Sequence, residues 1–238
     1  MFANVQQSFR FLATDEWYST FTGLNTGLKQ QTGTQYEAGI KHNFKDTVTV
    51  HVTPYVTKLR NEIFVDPTAG GGFGDNSNYD RTLRRGVEIG QTTDVLKFLP
   101  ELAHVNTIGL STSYNYQDAE FDGGAFDSHR IPMVAKNQAN AVLTLGMFDH
   151  YSASLIGTYV GSRFAINDTN NTTPALKQYF TLDGKLTCNR DPLEIFFAVN
   201  NIFEQKYFST AVKSTNSNNK DFFPAPERSF TVGMSAKF

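Results

Sequence analysis

The 238-residue sequence holds one cysteine, one tryptophan and no long apolar run. A lone Cys188 excludes an internal disulfide framework. No segment approaches the ~18–20 consecutive apolar residues that a membrane-spanning helix needs, and the mean hydropathy is −0.36. A helical membrane protein is therefore excluded. A barrel is not, because only alternate residues of its strands face lipid. Excess positive charge is also missing. A net charge of −2 leaves no electrostatic footprint for a nucleic acid. There is no nucleophile elbow, P-loop or dinucleotide fingerprint. His42, His51, His104, His129 and His150 are scattered without zinc-ligand spacing. The expectation is a protein with no enzymatic activity, no cofactor and no resident metal. Met1 is followed directly by Phe-Ala-Asn-Val, without the basic and apolar regions of an export leader. If the protein is exported, that start implies a fragment whose beginning is missing.

Aromatic residues and alternation are what the sequence has in quantity: 21 Phe and 10 Tyr. Ten strand candidates cover residues 2–11, 34–44, 47–64, 78–96, 105–121, 137–148, 151–164, 177–189, 192–206 and 227–238. In 106–116, Ile108, Leu110, Tyr114 and Tyr116 alternate with Thr107, Gly109, Ser111, Ser113 and Asn115. The period of two gives each strand one apolar and one polar face. The polar face carries mid-strand charges, among them Glu37, Lys41, Glu88, Asp183, Lys185 and Glu194. Alternation alone does not say whether the apolar face points into a core or out into lipid. Connection lengths do bear on it. Short turns at 45–46, 149–150 and 189–191 and a moderate one at 97–104 alternate with long polar stretches at 12–33, 65–77, 122–136, 165–176 and 207–226. An up-and-down transmembrane barrel sorts its connections this way, whereas a soluble meander has no reason to. The last strand places Phe230, Val232, Met234, Ala236 and Phe238 on one face, and an aromatic at its end suits a lipid–water interface.

Several stretches then resemble the C-terminal part of a TonB-dependent outer-membrane receptor of the siderophore or iron-complex class. They are Ser8-Phe9-Arg10, Thr34-Gln35-Tyr36-Glu37-Ala38-Gly39-Ile40-Lys41, Asn61-Glu62-Ile63-Phe64, and Asn78 through Arg84-Arg85-Gly86-Val87-Glu88. Val199-Asn200-Asn201-Ile202-Phe203 through Tyr207 and Pro226-Glu227-Arg228-Ser229-Phe230 through Phe238 complete the series, in the family's order. The resemblance implies an all-β fold: about ten antiparallel strands, residues 1–238, forming the C-terminal part of a barrel of about 22 strands, without the plug that fills the lumen. It implies residence in the bacterial outer membrane and contact with its lipid. It implies energy-coupled uptake of a ferric siderophore or other metal chelate by the intact receptor. Two further partners follow: an inner-membrane energy-coupling protein, through the N-terminal region not present here, and the barrel-assembly machinery, through a signal in Phe230, Val232, Met234 and Phe238. Ligand-contact candidates are the loop or lumen residues Phe73, Tyr79, Phe126, Phe164, Phe222 and Phe223, together with the basic group Arg81, Arg84 and Arg85. Aromatics on long loops suit an apolar or chelated ligand, but an interfacial girdle is an equal reading. The arginines could contact an anion, or pair with Glu88 or another nearby carboxylate. The acidic stretch Asp118, Glu120, Asp122, Asp127 and His129 lacks a calcium-loop spacing and reads as a solvated loop. A complete small outer-membrane barrel, adhesin-like or a protease, and a soluble antiparallel β-protein remain as alternatives.

Overall fold

The computed structural model describes residues 1–20, 22–70 and 74–237, so Phe73 and Phe238 lie outside the described residues. The strands are β1 (Phe2–Arg10), β2 (Tyr18–Ser19), β3 (Gly23–Leu24), β4 (Gln31–Phe44), β5 (Val48–Asp66), β6 (Asp75–Asp94), β7 (Val105–Phe121), β8 (Asn137–Met147), β9 (Tyr151–Val160), β10 (Tyr179–Arg190), β11 (Leu193–Asn200), β12 (Phe208–Lys213), β13 (Lys220–Pro224) and β14 (Ser229–Ala236). Ten of them form one antiparallel sheet in the order β1-β4-β5-β6-β7-β8-β9-β10-β11-β14. Neighbours in the sheet are neighbours in the chain once the two small hairpins, β2–β3 and β12–β13, are set aside. This is the expected meander. β1 and β14 are the two edges of the sheet.

Register fixes the two faces. Ile40 lies opposite Val52, Val52 opposite Ile89 and Ile89 opposite Tyr114. Tyr114 lies opposite Ala139 and Ala139 opposite Tyr159, which faces Phe180. One strand step lower, Leu143, Leu155, Leu186, Phe197 and Val232 extend the same row to the β14 edge. An uninterrupted apolar face results. It is not packed: Val232 is 73% exposed and Met234 70%. Leu110 and Leu145 are also unburied, and Ile195 is exposed. The buried apolar residues are few and lie at one rim, around Ala119, Phe121 and Ile131 and around Ala165, Leu176 and Ala211. A dry interior holding the greasy side chains, as a soluble β-protein would need, is not what these strands build.

Tight turns form one rim because the backbone at their tips is left-handed. Lys45 and Asp46 have φ of 50° and 53°, and Phe148 and Asp149 have 51° and 61°. Two successive positive φ values twist a hairpin to match its strands. At the opposite rim the expected sorting by length fails at one pair. β5 and β6 stay paired out to Asp66 and Asp75, which leaves only 67–74 between them. Residues 95–104 on the tight-turn rim contain a short 3-10 helix (Val95–Phe98) and are longer. Continued pairing converts residues expected in a loop into strand. Residues 207–226 also differ from expectation, since they contain β12 and β13. The strand expected over 192–206 stops at Asn200, where Asn201 takes a φ of 53°.

Candidate functional site

The long-connection rim gathers side chains into two groups. In the first, Asn61 of β5 has a φ of 55°. Beyond this kink the Glu62 carboxylate meets side chains of the sheet's polar face. Arg84 donates to it through Nη2 at 2.7 Å and Nη1 at 3.1 Å, and the Thr82 hydroxyl donates at 2.6 Å. Further out, Phe64 stacks on Tyr79 with ring centroids 3.7 Å apart, and Tyr79 lies 4.6 Å from Phe121 and 6.1 Å from Phe126. The first long connection is pinned alongside. Asn78 accepts from the Lys29 amide at 2.7 Å and donates to the Lys29 and Asn61 carbonyls, while the Asn25 side chain donates to the Asn76 carbonyl. A groove of about 620 Å³ between them is lined by Asn25, Lys29, Asn61, Asn76, Asn78 and Tyr79.

The second group joins the 161–178 connection to the β12–β13 hairpin. Arg163 is 4% exposed. Its Nη2 donates to the carbonyls of Phe208 and Ser209 at 3.0 and 2.8 Å, and its guanidinium lies over the Tyr179 ring. Tyr179 stacks on Tyr207 at 4.0 Å. Burial pushes the Tyr207 hydroxyl above its ordinary value. Asp168 organises the loop: one carboxylate oxygen accepts from the Thr172 amide and hydroxyl, the other from the Thr173 amide and hydroxyl. Burial pushes its carboxyl up, but these four hydrogen bonds outweigh it and hold the group below the usual carboxylate range. Beside the hairpin, Tyr207, Phe208, Phe222, Lys177, Lys206 and Lys220 surround a pocket of about 360 Å³. An aromatic floor under a basic rim can hold a planar or chelated anion.

The predicted residues are thus divided among several places. Tyr79 and Phe126 come together. Phe222 packs against Phe208 in a tilted pair with ring centroids 4.6 Å apart, and Phe223 is exposed on the same strand. Phe164 stands apart, with the Arg130 guanidinium 5.4 Å from its ring. The three arginines do not form one cluster. Alternation places Arg84 on the polar face and sends Arg81 and Arg85 to the apolar-face side, near the long-connection rim. There Arg85 pairs with Glu120 at 3.0 Å and Asp118 at 3.4 Å, and Arg81 lies 3.5 Å from Asp122. Pairing with a nearby carboxylate holds for all three, although the partners are not Glu88. Glu62, Phe64, Phe121, Arg163 and Asp168 are not among the site residues expected from the sequence, although Glu62 and Phe64 belong to one of its family-like stretches. Only Asp168, four and five residues before Thr172 and Thr173, carried a readable local signal.

The family model for the TonB dependent receptor-like β-barrel matches residues 1–202. The chain belongs to that family. Solved receptors share its fold. The ferric yersiniabactin uptake receptor FyuA of Yersinia pestis aligns over 98% of this chain and 33% of its own, with a TM-score of 0.69 and 20% identity. A ferric enterobactin receptor of Pseudomonas aeruginosa, PfeA, aligns over 99% and 38%, with a TM-score of 0.73 and 16% identity. The copper transporter OprC aligns over 98% and 36%, with a TM-score of 0.71 and 17% identity. The chain therefore spans about a third of the length of the receptors it matches. The sequence has no significant match among curated proteins. For a TonB-dependent receptor barrel, ten strands in a sheet with two unpaired edges are an arc of wall, and the two side-chain groups sit at the rim that carries the long connections.

Proposed function

We propose that this chain forms an arc of wall and the external loops of an outer-membrane receptor for a ferric siderophore or a similar metal chelate. In this reading the apolar face meets lipid, the polar face lines the lumen, and the tight turns lie in the periplasm. One observation carries it above the others. The unpacked apolar row running from Ile40 to Val232 is continuous across the sheet, while the arginine, carboxylate and amide groups lie on the opposite face or at the long-loop rim. Apolar side chains left outside a curved wall are stable only in hydrocarbon. The receptors that share the fold are described as importers of ferric yersiniabactin and ferric catecholates, or as a copper transporter. That supports a chelated metal as cargo. Tyr79 and Phe126 at one end of the rim, and Phe222 and Phe223 with Lys177 and Lys220 at the other, are the proposed contacts.

The remaining partners belong to the same proposal. Energy would come through an inner-membrane coupling protein acting on a plug and N-terminal region outside this arc. The assembly machinery would read β14, where Phe230, Val232 and Met234 share the apolar face. The test is uptake of iron-55 complexes by cells whose only receptor is the full-length protein. Ferric catecholate, ferric citrate and ferric hydroxamate are compared with a copper chelate. Uptake of one complex that falls with Phe222→Ala and Tyr79→Ala supports the reading. No uptake or binding of any chelate by a correctly inserted receptor overturns it.

A further inference from the structure

The apolar-face side of β1, β4 and β5 changes character abruptly near the long-loop rim. Val5, Tyr36 and Val56 are register partners at the top of the apolar row. Two and four residues beyond Val56 on the same face stand Lys58 and Arg60, opposite Thr34 and Thr32. At ~3.3 Å per residue the cations lie about 7 and 13 Å above that row. Both are exposed, and neither side chain makes a hydrogen bond or an ion pair among the described residues. With Phe9, Thr32, Thr34 and Tyr36 they line a groove of about 490 Å³. The adjoining cations are already spent: Arg85 and Lys136 on Asp118, Arg85 again on Glu120, and Arg81 beside Asp122. No carboxylate of β1, β4 or β5 shares this face at the level of Lys58 and Arg60.

We propose that this groove binds the phosphate of an anionic lipid in the outer leaflet. The inference rests on the membrane placement given above. The chemistry is specific: two free cations flanked by two hydroxyl donors suit a phosphate, and they stand just above an aromatic and an apolar row that suit the acyl chains of the same molecule. A soluble anion would use the cations and hydroxyls but gain nothing from Tyr36, Val5 and Val56. Basic side chains at the edge of a spanning surface attract anionic headgroups in proportion to their number.

The experiment is lipid retention by the full-length receptor, purified in mild detergent and measured by native mass spectrometry. Lipid A is offered with its phosphates intact or enzymatically removed. Intact lipid A is expected to be retained, and removal of its phosphates or the Lys58→Gln/Arg60→Gln double variant to reduce retention about tenfold or more. Lys58→Arg/Arg60→Lys keeps the charge and is expected to restore it. Inorganic phosphate at millimolar concentration is expected not to compete. Equal retention by the double variant, or no dependence on the phosphates, overturns the proposal. Competition by inorganic phosphate would reassign the groove to a free anion and overturn the lipid source. A spin label at Leu143, read for contact with lipid-phase oxygen, tests membrane placement separately. A lipid-exposed label together with unchanged retention would reject this groove alone.

Discussion

Arg84 and Arg85 are consecutive in the chain and their guanidinium groups lie on opposite faces of the sheet. Arg84 forks onto Glu62 with side chains only 17% and 20% exposed, whereas Arg85, at 53%, reaches Asp118 and Glu120. The two substitutions should therefore differ. Arg84→Met leaves the Glu62 carboxylate half-desolvated with only the Thr82 hydroxyl, a loss of about 2–3 kcal/mol. Arg85→Met removes a well-solvated pair and should cost less than about 1 kcal/mol. Unfolding of both variants in detergent by urea measures the difference. An equal loss would mean that the two faces are equally wet at this level.

Adjacent positions in β8 give a sharper test of which face meets lipid. Leu143 lies on the apolar row and is 42% exposed, while Val142 points to the other face opposite Ser111. Leu143→Arg should cost about 2–4 kcal/mol of folding stability in lipid vesicles. Val142→Arg meets an aqueous lumen and should be nearly neutral. Folding titrations into vesicles compare them. The reverse order would place the apolar face in a core.

The ten strands were legible because alternation and turn chemistry are local. The row from Tyr114 through Leu143 and Leu155 to Leu186 is written residue by residue in the sequence. Four features were not legible, each because it depends on distant residues. β5 and β6 run past the expected rim because each satisfies the other's backbone. β12 and β13 form because Phe208 finds Phe222. The basic triplet separates because Arg84 and Arg85 fall on alternate faces, and their partners Glu62, Asp118 and Glu120 lie 22, 33 and 35 residues away. The rim aromatics were recognisable as aromatics. Their grouping into Tyr79 with Phe64, Phe121 and Phe126 was not, since it needs the register of three strands.

Asp168 predicts a pH-dependent loop. Its carboxyl is held below its ordinary value, so its contribution is present in full above the unfolded value of about 4 and is lost as pH falls through the folded value. The 163–176 segment should stay protected at neutral pH and loosen in acid below about pH 4. Asp168→Ala removes four hydrogen bonds and should loosen the same segment at every pH, by about 2–3 kcal/mol at neutrality. Hydrogen-exchange protection of the Thr172 and Thr173 amides, normalised for intrinsic rates, reports both effects. Protection that is unchanged from neutral pH to pH 3 in the unsubstituted receptor would show that the carboxylate does not hold the loop.

The kink at Asn61 makes the final case, because it decides which face Glu62 joins. Strict alternation from Arg60 would put Glu62 on the same side as Arg60, away from Arg84. A left-handed residue between them re-aims the strand, and asparagine tolerates that conformation better than other residues with a side chain, glycine apart. The Asn61 amide also donates to the Gln30 carbonyl at 3.3 Å. Asn61→Ala should cost about 1–2 kcal/mol through the backbone and should weaken the Glu62–Arg84 pair with it. Asn61→Gly keeps the backbone freedom and loses only the side-chain bond, so it should retain most of the stability. A double-mutant cycle between position 61 and Arg84 separates the two contributions. Coupling for alanine but not for glycine is the expected result. Coupling absent in both would mean that the Glu62 carboxylate reaches Arg84 without the kink.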